Sequence, residues 1–186
     1  APGQATRGHS RLRDTVLGLA GLGDGAAATE VRGLVPSAPS LRPADLLTRA
    51  AFGRLTALDV VVASPAAEGA GDDACVAAVG RKLDKYASYL EELKAEGVEY
   101  RPLAWTCWGR PHCDAEAAVR SMAQTASRRQ PGICAVDLAR RAQSAIGVQI
   151  WLRAAKMVDA CRPKASAEDH SLVLPMAVAN ARQRAG

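Results

Sequence analysis

Two aspartates interrupt two short apolar runs. The stretch LRPADLLTRAAFGRLTALDVVVAS, residues 41–64, carries Asp45 in the first run and Asp59 in the second, with Gly53 between them. Runs 44–50 and 55–62 read as a hairpin, with β-branched valines in the second arm and a glycine near the bend. Folded about residues 52 and 53, the hairpin brings Asp45 approximately opposite Asp59. Directly opposed residues have Cβ atoms roughly 4.5–5.5 Å apart, where two like charges destabilise the pair. A divalent cation removes the repulsion, because hard oxygen ligands converge on Mg²⁺ or Mn²⁺. The alternative is another register, with both aspartates on solvated strand ends.

Other residue groups invite chemistry and have plainer readings. Cys107, His112 and Cys113 are close enough in sequence to suggest zinc, yet a structural zinc site needs four ligands. Buried or idle thiols are the preferred reading. GLAGLGDG, residues 18–25, follows a predicted helix instead of a strand and has no Gly-Lys-Ser/Thr, so it reads as a flexible connector. Asp72 and Asp73 are placed to start a helix. Trp105 and Trp108 are either base-stacking or core and rim residues. Arg128, Arg129, Arg140, Arg141, Arg153 and Lys156 form the main basic concentration, either a solvated helix face or a set of phosphate contacts.

The elements that must position these groups follow from period and punctuation. With 186 residues, 48% of them hydrophobic, the chain is the size of one domain with a real core. Only 4% are aromatic and alanine is plentiful, so that core is rich in small residues and leans to helix. Residues 10–20 have helical spacing, followed by a glycine-rich turn. From Cys75 to Glu96 the residues Val76, Val79, Leu83, Tyr86, Leu90 and Leu93 step by three and four, which predicts one amphipathic helix closed by Gly97. VEYRPLAWTCWG predicts a strand whose proline favours an edge or an end. Two helices are expected over about 114–129 and 134–161, the second with Ile146, Ile150, Ala154, Met157 and Cys161 on one face. The order predicts a mixed α/β or α+β layer fold. A domain over 1–162 and a loosely held tail over 163–186 complete the expected organisation, with no internal repeat.

Charge and cysteines bound the setting. A net charge of +5 is a mild bias toward polyanions. Five irregularly spaced cysteines point to an intracellular chain with reduced thiols. No run of 18 apolar residues predicts a membrane helix, and the N-terminus lacks the apolar centre of a signal peptide. The missing initiator methionine suggests a piece of something longer.

Several short motifs, in order, carry a resemblance. RPAD (Arg42 to Asp45), LDVVV from Leu58 and KLDKY (Lys82 to Tyr86) follow one another, with RGHSRLRD and TEVRGLVP upstream and EYRPLAWTCWGR downstream. In this the chain resembles the restriction-like endonuclease of site-specific non-LTR retrotransposons, a branch of the PD-(D/E)XK nuclease superfamily. The resemblance covers about residues 7–110 and implies a PD-(D/E)XK core, a small mixed sheet flanked by helices. It departs from the pattern at three points. Ala44 separates the motif proline from Asp45, Gly8 splits the arginine–histidine pair and leaves His9 without an assigned role, and Val61 stands where the strand lysine is usual.

What the resemblance implies is a metal-dependent DNA endonuclease domain that nicks target DNA for retroelement insertion. Its reverse transcriptase would lie upstream in the same polyprotein, and its location would be nuclear. Asp45 and Asp59, with Glu30 and the Val60 carbonyl, would hold Mg²⁺ or Mn²⁺, and Lys82 or Lys85 would supply the lysine. On a helix whose apolar stripe is centred between Leu83 and Tyr86, Lys82 falls about 70° and Lys85 about 130° from the centre. That selects Lys82 for catalysis and leaves Lys85 as a phosphate contact or a solvated residue. Arg42, Arg128, Arg129, Arg141 and Lys156 are the expected nucleic-acid contacts. The alternatives are a repair or recombination nuclease of the same superfamily, or a catalytically decayed module that binds nucleic acid or a protein.

Overall fold

Leu12, Val16, Leu19 and Ala20 recur at helical spacing and are all buried. They form the inner stripe of α1 (Pro2–Gly23) in a computed structural model that describes residues 2–67, 69 and 71–161. The helix therefore runs through most of the glycine-rich stretch expected to be a connector. Gly23 has a packing reason: a Cβ there would meet Ala126 N and Thr125 Cγ2 at 3.1 Å. The expected tail, 163–186, lies outside the described residues.

Four strands follow: β1 (Ala28–Thr29), β2 (Leu46–Thr48), β3 (Thr56–Ala63) and β4 (Glu99–Thr106), in the spatial order β1-β2-β3-β4. The first three are antiparallel neighbours and β4 runs parallel to β3, so the sheet is mixed. The hairpin turns at Phe52 and Gly53, both at positive φ (55° and 69°). Its first arm is shorter than expected, three residues against eight in β3. β3 is the long interior strand, and its β-branched run suits burial on both faces. Pro102 sits in β4, an edge strand, where a missing N–H is tolerated.

The helix expected over 75–96 is divided. α2 (Ala74–Tyr86) passes through a 3-10 turn, Ala87–Tyr89, into α3 (Leu90–Ala95). Asp73 caps α2, accepting from Cys75 N at 2.8 Å and Val76 N at 3.3 Å. Gly97, at φ 72°, ends α3, with Val98 N donating to Leu93 O at 2.9 Å. The buried face of α2 is not the one expected. Ala74, Cys75 and Ala78 pack against Ala63 and Ala104 of the sheet, while Val76 and Leu83 are 57% and 36% exposed. Small side chains let the helix come close to β3 and β4, and that contact outweighs the size of the valine and leucine.

α4 (Cys113–Arg129) and α5 (Ala135–Cys161) join α1 on one face of the sheet, over Leu58, Val60, Leu103 and Trp105. Acidic Asp114 and Glu116 in the first turn of α4, and Arg128 and Arg129 in its last, match the helix dipole. α2 and α3 cover the other face, over Ala57 and Tyr100. The stripe expected on α5 holds at Ile146 and Ile150 and then stops: Met157 is half exposed, and the side chain of Cys161 lies outside the described residues. Trp105 is core; Trp108 is an exposed rim residue beside Trp151 on α5. Among the described residues no helix is long and apolar enough to cross a membrane.

Candidate active site

The hairpin register decides where the two acids meet. The ladder pairs Thr48 with Thr56, Leu47 with Ala57 and Leu46 with Leu58. One step beyond that last pair stand Asp45 and Asp59. Asp45 N donates to Leu58 O at 3.0 Å, and Val60 N donates to Asp45 Oδ2 at 2.8 Å. The Asp45 side chain thus folds over β3 beside Asp59.

Asp59 shares its face of β3 with Ala57 and points at α2, where it is only 4% exposed. Two partners reach it there. Lys82 Nζ lies 2.9 Å from Oδ1 and 2.8 Å from Oδ2, and the Tyr100 hydroxyl donates to Oδ2 at 2.8 Å. On the far side His9 Nε2, from α1, is 3.0 Å from Asp45 Oδ1. A row of side chains runs from His9 through Asp45 and Asp59 to Lys82, with groups drawn from α1, β3, α2 and the chain entering β2.

The environments push the two carboxyls apart. Burial works to raise Asp45, but hydrogen bonds from His9 and Val60 N–H prevail and hold it below the usual carboxylate range. Asp59 moves up, because burial and the charge of Asp45 outweigh Lys82 and Tyr100. Tyr100 is pushed up by its burial and by Asp59, so it stays a neutral donor. The pair divides its roles: Asp45 ionises readily, and Asp59 does so reluctantly.

The remaining expected residues fall into place differently. Glu30, at φ 51°, follows β1, and its carboxylate is held by Arg13 Nη1 at 2.5 Å and Arg42 Nη1 at 2.6 Å. Glu30 does not converge with Asp45 and Asp59: among the described residues the one such group of three lies elsewhere, at His112, Cys113 and Asp114. Arg42 is accordingly a partner of Glu30. Val60 donates its N–H to the Asp45 carboxylate, which places its backbone at the acids. Lys85 is exposed, its ammonium 4.8 Å from the Tyr86 ring centre. Arg128 and Arg129 sit where the end of α4 meets the end of α1, marked by Gln130 Nε2 donating to Leu22 O. His9 is fourteen residues back along α1, about 21 Å at the helical rise. Arg141 lines the turn between α4 and α5, and Lys156 is exposed on the last turns of α5. Arg128, Arg129 and Arg141 thus lie apart from the acids.

Compared with protein-family models, with curated proteins and with solved structures, the chain matches none. The site must therefore be judged on its chemistry. Two adjoining carboxylates present hard oxygen donors, which suit Mg²⁺ or Mn²⁺; Mg²⁺ commonly takes one or two carboxylates and fills its shell with water and phosphate oxygens. Asp45 and Asp59 fit such an ion.

The group at His112, Cys113 and Asp114 fits a metal less well. His112 caps α4, its Nδ1 accepting from Asp114 N at 3.3 Å. Cys113 Sγ is 3.6 Å from one ring nitrogen and 3.8 Å from the other, which puts the sulfur off the axis of either lone pair. Capping accounts for this cluster.

Sequence reasoning passed over Tyr100 entirely and gave His9 no role. The signal for Tyr100 was present: a hydroxyl on a strand, two residues before the partner of Asp59 in a parallel pairing. The signal for His9 was the arginine–histidine element in RGHSRLRD, which Gly8 interrupts, and nothing in the local pattern pointed to Asp45, 36 positions on.

Proposed function

We propose that the chain is a metal-dependent DNA endonuclease domain that hydrolyses phosphodiester bonds at Asp45 and Asp59. One observation carries the reading: two adjoining carboxylates, one bound by a histidine and the other by a lysine. As a structural device this arrangement is poor. A buried ion pair rarely exceeds the cost of its own desolvation, and a second carboxylate beside it adds repulsion. As a cation site with a general lysine it has a purpose.

Asp45 and Asp59 would hold Mg²⁺ or Mn²⁺. When bound, such an ion supplies a hydroxide nucleophile at neutral pH and offsets charge on the pentacoordinate phosphorus. His9 orients Asp45 and favours its ionised form. Lys82, released from Asp59, orients the attacking water or neutralises charge on the phosphoryl oxygens. The mixed α/β architecture agrees with a small PD-(D/E)XK-like core, and the ordered motifs around Asp45, Asp59 and Lys82 add the resemblance to retrotransposon endonucleases. On that resemblance the nick would serve retroelement insertion in the nucleus, beside a reverse transcriptase from the same polyprotein.

A second reading has its own observation. Glu30 is neutralised by Arg13 and Arg42 and brings no third carboxylate to the acids, as in a decayed module that only binds nucleic acid or a protein. Supercoiled plasmid incubated with the protein and Mg²⁺ or Mn²⁺ separates the two. Nicking that EDTA stops and Asp59→Asn abolishes supports the nuclease; DNA binding without nicking in either metal supports the module.

A further inference from the structure

We propose that Tyr100 is the fixed partner that keeps the Asp59 carboxylate in place beside Asp45, while Lys82 is the exchangeable one. The inference rests on the reading of Asp45 and Asp59 as a cation site. Its basis is the contrast between the two groups that share Asp59.

Tyr100 is set in the sheet itself. The parallel pairing matches Tyr100 with Ala57 and Pro102 with Asp59, so Tyr100 stands one pleat away on the same face as Asp59. Its residue is 9% exposed, and its ring meets Tyr86 edge-on, with centres 5.2 Å apart and planes at 65°. A buried ring on a strand, packed edge-on against Tyr86, has little freedom to withdraw its hydroxyl. Lys82 reaches the same carboxylate from a helix, on a flexible four-carbon stem, with a side chain 27% exposed.

The chemistry of the two donors differs in the same sense. A divalent cation at Asp59 repels an ammonium, whereas a neutral hydroxyl keeps its hydrogen bond to a carboxylate that also ligates. Tyr100 on Oδ2 thus leaves Oδ1 for the cation and stops the side chain from turning away when Lys82 departs. It touches no reacting atom, and it acts through Asp59 as a positioning residue.

Tyr100→Phe removes the hydroxyl and keeps the ring, and Val98→Ala loosens the same core cluster without touching Asp59. Two quantities are read in both variants and in the wild type: Mn²⁺ affinity by calorimetric titration, and the ¹³C signal of the Asp59 carboxyl in metal-free protein. Tyr100→Phe is expected to weaken Mn²⁺ binding about 10–100-fold, as for other residues that orient ligands, and to move the Asp59 signal. Val98→Ala is expected to do neither, even where it lowers the melting temperature. An Asp59 signal unmoved in Tyr100→Phe, or moved equally in Val98→Ala, overturns the inference. A wild-type protein that binds no Mn²⁺ overturns the nuclease reading instead, and the Asp59 signal alone then decides whether Tyr100 holds that carboxylate.

Discussion

Lys82 Nζ bridges both oxygens of Asp59, at 2.9 and 2.8 Å, from the middle of the buried face of α2. It sits four residues after Ala78 and four before Tyr86, both buried, so all three project toward the sheet. Lys85 points elsewhere and lies over Tyr86. Lys82→Ala is expected to slow cleavage about 10²–10³-fold, the usual loss when one donor to a developing charge is removed. DNA affinity should change little, and Lys85→Ala should alter neither quantity strongly. Single-turnover rates and binding isotherms on the two variants check this; equal rate losses would remove the distinction.

The acids should respond to pH with opposite signs. Asp45 is held below its ordinary value near 3.8, so its contribution to stability is present above that value and lost as pH falls through the lowered one. Asp59 is raised, so the unfolded chain releases that proton first, and stability declines as pH rises from about 3.8 through the raised value. Relative to wild type without metal, Asp45→Asn should therefore look worse at pH 7 than at pH 3. Asp59→Asn should look better at pH 7 than at pH 3. Both should abolish nicking. Melting temperatures at the two pH values test the signs, and shifts of the same sign would contradict the assignment.

Asp24 is expected to be structural only. Its buried carboxylate accepts from Thr48 Oγ1 at 2.9 Å, Arg49 N at 2.6 Å and Ala26 N at 3.0 Å, tying the end of α1 to the hairpin. Burial works to raise it, but these bonds hold it low, so its contribution also fades as pH falls through that lowered value. Asp24→Ala should cost about 2–4 kcal/mol in urea unfolding, since it strands two or three donors of a charge-assisted set. Mn²⁺ affinity of the folded protein should be unaffected, in contrast to Asp45→Asn.

Binding of DNA by this chain should be mainly electrostatic and weakly selective. Exposed arginines at the α4–α5 turn offer phosphate contacts, and among the described residues no element carries a recognisable base-reading motif. Affinity for a short duplex should fall steeply between 50 and 200 mM salt, with a slope set by the number of phosphates neutralised, on the order of 0.9 per contact. Fluorescence anisotropy on duplexes of unrelated sequence measures both features. An affinity indifferent to salt would favour a protein partner.

The elements were legible where neighbours in sequence decide the structure. Hairpin, edge strand with its proline, N-cap at Asp73 and both long helices follow from residue type and spacing. The start of α2 was legible, but not the break after Tyr86, and its buried side was assigned by side-chain size: Val76 and Leu83 were expected inside, and Ala74, Cys75 and Ala78 are buried instead. Periodicity reports that a helix has a face; the distance to the sheet decides which face. The same reliance on local pattern turned the glycines of α1 into a connector, although Gly23 is where α4 approaches.

By itself the sequence determined the two arms and the bend near Phe52 and Gly53, and it set Asp45 approximately opposite Asp59 in one of the two registers it left open. The ladder that pairs Leu46 with Leu58, both buried, selects that register, and the acids follow one step beyond. Only the tertiary structure decided their company. Lys82, Tyr100 and His9 come from 23, 41 and 36 positions away to reach one acid or the other, and Glu30 is drawn off by two arginines. Such contacts depend on how helices stack on the two faces of the sheet. Local propensity carries no record of that stacking, because each partner is an ordinary residue of its own helix or strand until the layers close.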